Sequence, residues 1–65
     1  MELSDNEKKV YDFVKNNSND FLNLVKISDD TKLSYPTIRN SVRVLEIMEL
    51  IDVIKIGNNK FVKLI

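Results

Sequence analysis

The sequence predicts an α+β domain, three helices followed by a two-stranded hairpin, on three observations. Apolar residues recur at helical spacing as far as about residue 49. Ser4 and Ser34 stand where two of those helical stretches begin. Beyond them, β-branched residues crowd both sides of Gly57-Asn58-Asn59, the composition of a tight hairpin. One Gly and one Pro interrupt the 65 residues, with no repeat or linker, so residues 1–65 read as a single domain.

Ser4 and Glu7 form an S-x-x-E capping box, and Val10, Phe13 and Val14 follow at helical spacing. The run Asn16-Asn17-Ser18-Asn19 then stops the helix, placing it over about 5–16. Phe21-Leu22 reads as a very short strand or a buried bend. A second helix is expected over about 24–32, with Leu24, Ile27 and Thr31 on one face. Asp29 and Asp30 fall on its outer side about 100° apart, a solvated pair rather than an acid/base couple.

The third helix opens at Ser34, with Leu33 and Ile38 spaced as a hydrophobic staple. Pro36 falls in the first turn, where a missing N–H costs nothing. A residue before proline resists the α region, so Tyr35 is an alternative cap. The helix is expected to run to about Glu49, followed by strands at about 51–56 and 60–65. Alternation puts Ile54, Ile56, Val62 and Leu64 on one hairpin face and Val53, Lys55, Phe61 and Lys63 on the other.

Composition removes several function classes. With no cysteine and no histidine, disulfides are excluded and the usual zinc sites lack their ligands. No cofactor, metal or small-molecule effector is expected. Without a nucleophilic Cys–His pair or a glycine-rich phosphate loop, an enzyme is not expected and no catalytic residue is assigned. No apolar run approaches the roughly 20 residues that span a bilayer. No membrane association is expected, and the predicted location is cytoplasmic.

Net charge is zero, but it is segregated. Residues 1–30 carry four lysines against seven acids, net −3, and residues 31–65 carry six cations against three acids, net +3. For a polyanion the local patch matters more than the total.

On a helical wheel Ile38, Val42 and Leu45 form the buried stripe, flanked by Ser41 and Met48. Arg39, Asn40 and Arg43 then share the opposite arc. Guanidinium forks match guanine O6 and N7 or a phosphate, and Asn pairs bidentately with adenine. Tyr35 and Thr37 stand beside them as donors to phosphates or as contacts to a thymine methyl, and the first-turn N–H groups add a weak anion site. Such residues on an outer helical face are ordinarily just soluble surface. A preceding short helix, a tight turn and a following hairpin rich in Lys and Asn give them another context.

The segment TKLSYPTIRNSVRVLEIMELIDV resembles the winged helix-turn-helix domain of small prokaryotic repressors. Leu33, Ser34, Ile38, Leu45, Leu50 and Ile51 fill the family's turn, cap and core positions, and the likeness spans nearly the whole chain. Glu49 stands where many relatives place glycine, and the wing is short. The resemblance implies a DNA-binding transcriptional regulator whose third helix enters the major groove while the hairpin touches the backbone or minor groove. It implies Ser34, Tyr35, Thr37, Arg39, Asn40 and Arg43 as helix contacts to double-stranded DNA, and Lys55, Asn58, Asn59 and Lys60 as wing contacts.

Val44 and Ile47 fall outside the core stripe, and Val53 and Phe61 fall on the more polar hairpin face. Either helix 1 or the N-terminal segment shields this surplus, or it forms a homodimer contact. The competing reading is a winged-helix module that binds protein, as an accessory domain of a replication or transcription factor.

Overall fold

In the computed structural model, which describes residues 3–17 and 21–65, the chain runs α1 (Asp5–Asn16), β1 (Leu22–Asn23), α2 (Leu24–Thr31), α3 (Tyr35–Ile47), β2 (Ile51–Ile56) and β3 (Asn59–Leu64). The α+β class holds, but the sheet has three antiparallel strands in the order β1-β3-β2, not two. The stretch around Leu22 is a strand after all: Leu22 pairs with Val62 and Asn23 with Phe61.

Local chemistry sets each helix start. Ser4 Oγ accepts from the Glu7 N–H at 3.3 Å while Glu7 Oε1 accepts from the Ser4 N–H at 3.0 Å, completing the capping box. Asn23 caps α2, its Oδ1 accepting from the Val25 N–H at 2.8 Å. Ser34, extended at ψ 152, is the cap of α3, which leaves Tyr35 as its first helical residue. At the end of α1, the Asn17 side-chain amide donates to the Phe13 carbonyl at 2.8 Å. Ser18 and Asn19, the rest of the expected terminator, lie outside the described residues.

Helix α3 stops at Ile47, two residues earlier than expected, and the reason is Glu49. Its φ is +61, in the left-handed region. The Glu49 N–H donates to the Glu46 carbonyl at 2.9 Å and the Leu50 N–H to the Leu45 carbonyl at 3.0 Å, the paired bonds of a Schellman termination. Glycine is the usual residue at such a position because a Cβ strains it. Glu49→Gly is therefore expected to raise stability by about 0.5–1 kcal/mol, read as a higher urea midpoint with an unchanged m-value. Gly57→Ala should move the midpoint the other way. Gly57 has φ +60 and open space around an added Cβ, so backbone strain alone sets the cost, about 1 kcal/mol.

Ten buried side chains form one core: Val10, Val14, Leu22, Leu24, Ile27, Ile38, Val42, Leu45, Ile51 and Val62. Every element supplies at least one. Ile38, Val42 and Leu45 point inward as the helical spacing predicts, with Ser41 buried beside them.

The hairpin faces differ from the sequence reading. Ile56 pairs with Asn59 across a two-residue loop, Gly57-Asn58, with positive φ at Gly57 as its first member, the sign pattern of a II′ turn. The expected three-residue loop began the last strand one position later. Because side chains alternate, that one residue reverses half the assignments. Directly paired residues share a face, and the pairs are Val53 with Val62, Ile54 with Phe61 and Lys55 with Lys60. Val53, Lys55, Lys60, Val62 and Leu64 thus share the core side with buried Ile51. Asp52, Ile54, Ile56, Asn59, Phe61 and Lys63 lie on the outer side.

Candidate nucleic-acid interface

The packing of α3 determines which residues it presents. With Ile38, Ser41, Val42 and Leu45 sunk into the core, Arg39, Asn40 and Arg43 project from the other arc and are exposed. They line a groove of about 380 Å³ between α3 and the hairpin, together with Pro36, Glu46 and Lys60. Leu24, Val42 and Val53 supply its apolar lining. Three cations from two elements converge here against one carboxylate.

None of these cations has an ion-pair partner among the described residues. Among the described residues the one ion pair is Lys26–Asp30, an exposed i,i+4 pair at 3.5 Å on α2. Lys55 and Lys60 face each other directly across the β2–β3 ladder. Like charges in that relation repel, and a bound polyanion would turn the repulsion into attraction.

The remaining predicted contacts are placed unevenly. Ser34 Oγ accepts from the Thr37 N–H at 3.4 Å and lies 2.8 Å from Thr37 Oγ1, so both hydroxyls already serve the cap of α3. Tyr35 is exposed on the first turn, next to the groove's Pro36. Asn58 sits in the hairpin loop, but Asn59 belongs to the outer face, away from Lys60. The structure thus brings Arg39, Asn40, Arg43 and Lys60 together and separates Asn59 from them.

The four residues expected at a dimer contact do not share a surface. Ile47 is 74% exposed, while Val44 is half-buried. Val53 lies in the groove on the core side of the sheet, and Phe61 lies on the outer side. A different apolar surface forms instead, an outer-face depression of about 180 Å³ lined by Phe21, Ile54, Ile56 and Phe61. The Lys63 ammonium sits 5.1 Å from the centre of the Phe21 ring at its margin.

Sequence reasoning missed Glu46 as a groove residue. Its spacing held the signal, since Glu46 falls three residues after Arg43 and seven after Arg39 and so repeats their stripe. The contribution of Val53 had no such signal, because it depends on the hairpin register.

Among the described residues no helix is long and apolar enough to cross a membrane. Comparison with protein-family models and with curated proteins finds no match to this chain, so the geometry and chemistry of the groove carry the functional reading.

Proposed function

We propose that this domain binds double-stranded DNA as a transcriptional regulator of the winged helix-turn-helix kind, with α3 in the major groove and the β2–β3 hairpin as a wing on the backbone or adjacent minor groove. The observation that carries the reading is the shared groove. Two guanidiniums and an amide from α3 and an ammonium from the hairpin converge, and among the described residues these cations have no ion-pair partner. These are the side chains that pair with base edges and phosphates.

The dimensions agree. A helix with its side chains is about 10–12 Å across, and the major groove is about 12 Å wide. The turn between α2 and α3, Lys32–Ser34, has the three residues of a helix-turn-helix connection. Lys32 makes the sharp exit from α2 with φ +65, and Ser28 Oγ donates to the Leu33 carbonyl at 2.7 Å to hold it.

The test is a fluorescence titration of a random-sequence duplex pool across salt concentrations, followed by sequencing of the bound fraction. Each phosphate neutralised contributes about −0.9 to the slope of log K against log salt. If Arg39, Arg43, Lys55 and Lys60 each engage one phosphate, the slope is about −3.6 per domain, and twice that for a homodimer. A flat salt response, or no binding to duplex at low salt, defeats the proposal.

A second reading, a protein-binding module, is favoured by the outer sheet face. Phe21 is 48% exposed, Ile54 40% and Ile56 63%, clustered on the side away from the groove. A contiguous apolar patch of this kind marks interaction surfaces more than scattered exposed residues do. This face, rather than the set containing Val44 and Ile47, is where a homodimer would form without obstructing α3. Sedimentation of the full chain with and without duplex separates the cases: a complex with protein and none with DNA favours the module.

A further inference from the structure

We infer that Glu46 is a specificity-determining residue of the groove, a carboxylate that accepts from a cytosine amine and disfavours duplex offering no such donor. The inference rests on the DNA-binding reading above and deepens it.

Glu46 is exposed and lines the groove that holds Arg39, Asn40, Arg43 and Lys60. It follows Arg43 by three residues, which sets it about 4.5 Å further along the helix axis on the same face. No cation lies within ion-pair distance of it among the described residues, where Lys26–Asp30 is the one salt bridge. Its charge is therefore not absorbed by the arginines beside it.

A purely structural role accounts poorly for this side chain. It lies in the last turn of α3, where the helix dipole is negative and a cation would be favourable. That turn contains no basic residue. Its own main-chain carbonyl, not its carboxylate, takes part in the helix termination. The side chain is thus unfavourable towards the helix end and unfavourable towards any phosphate entering the groove.

A carboxylate is an acceptor only, so it is relieved by a donor and by nothing else. Phosphates, guanine O6 and N7, and thymine O4 offer none. The cytosine N4 and adenine N6 amines do. Adenine sets its amine beside the N7 acceptor, which repels a carboxylate, so cytosine N4 is the better match, and carboxylate acceptance from it is an established form of major-groove readout. Three cations supply attraction regardless of sequence, and Glu46 subtracts from it wherever the matching amine is missing. Discrimination then arises from a penalty on wrong sites as well as a bond at the right one.

Two variants, Glu46→Gln and Glu46→Ala, test this with the full chain. Each is titrated on the duplex selected from the random pool by the unaltered protein and on a scrambled duplex of equal length. Both variants should bind the scrambled duplex about 3–10-fold more tightly, and the ratio of selected to scrambled affinity should fall about 10-fold, the scale of one lost base-pair preference. Repeating the selection with Glu46→Ala should erase a cytosine preference at one position and leave the other positions intact. An unchanged ratio with an unchanged selected sequence would show that Glu46 is surface charge only and overturn the inference. If the unaltered protein binds neither duplex at low salt, the DNA-binding reading itself fails and takes this inference with it.

Discussion

Arg39→Ala and Arg43→Ala are each expected to weaken duplex binding by about 1–3 kcal/mol, roughly 5- to 150-fold, with no comparable loss of folding stability. Both side chains are exposed on the arc of α3 opposite the buried stripe, so truncation removes no core packing. A guanidinium that reads guanine presents two parallel donors that no shorter side chain replaces. Arg39→Lys or Arg43→Lys should therefore restore little of the lost specificity while retaining the salt-dependent attraction. The two roles are separable. Loss of a base-reading residue relaxes preference at one position, whereas loss of a phosphate contact weakens all sequences alike and reduces the salt slope by about 0.9. Lys9, exposed on α1 and outside the groove lining, is the control whose replacement by alanine should leave affinity within twofold. Harmless substitution of both arginines in an anisotropy titration would remove α3 as the reading element.

The second large effect is on the fold. Ile38→Ala and Leu45→Ala are each expected to cost about 2–5 kcal/mol, because both side chains are fully buried and truncation leaves a cavity. A domain of 65 residues has only about 3–10 kcal/mol of stability in all. Either substitution should leave a substantial unfolded population at ambient temperature, read directly in a urea or thermal melt. Ile38→Val, which removes one methyl group, should cost only about 0.5–1.5 kcal/mol and keep the transition cooperative. Val44→Ala, at a half-buried position on the same helix, should cost less than Ile38→Ala. The same helix anchors the core and displays Arg39, Asn40 and Arg43, so core variants should lose DNA binding in proportion to the unfolded fraction. Binding that survives complete loss of the folded state would show that α3 does not act as a docked helix.

These two sets of variants probe opposite sides of one element. One side is governed by burial, which is insensitive to the identity of a ligand. The other carries cationic donors that have no ion-pair partner among the described residues. That asymmetry gives α3 a functional reading from geometry and chemistry alone, and it makes the Glu46 substitutions informative in their own right.

The helices were legible in the linear chain because their determinants are local. Ser4 with Glu7, and Ser34 ahead of Pro36, bond to amides three residues away, and the spacing of Ile38, Val42 and Leu45 orients α3 before any partner is known. From the same spacing the outward arc of Arg39, Asn40 and Arg43 followed. Glu49 was legible as an oddity, a glutamate in a glycine position, but its Schellman geometry was not.

What tertiary structure decided was everything that depends on a partner distant in sequence. β1 is two residues long and exists because β3 offers it a hydrogen-bonding edge, about forty residues away. The hairpin faces turned on a single loop residue: alternation has period two, so Gly57-Asn58 in place of a three-residue loop exchanged the β3 residues that share a face with Val53 and Lys55, Lys60 and Val62 standing there rather than Phe61 and Lys63. That exchange set Lys60 beside Arg39 and Arg43 in the groove and left Phe61 with Ile54 on the outer face. Local periodicity determines which way a helix points, whereas the register of a strand is settled only by the strand beside it.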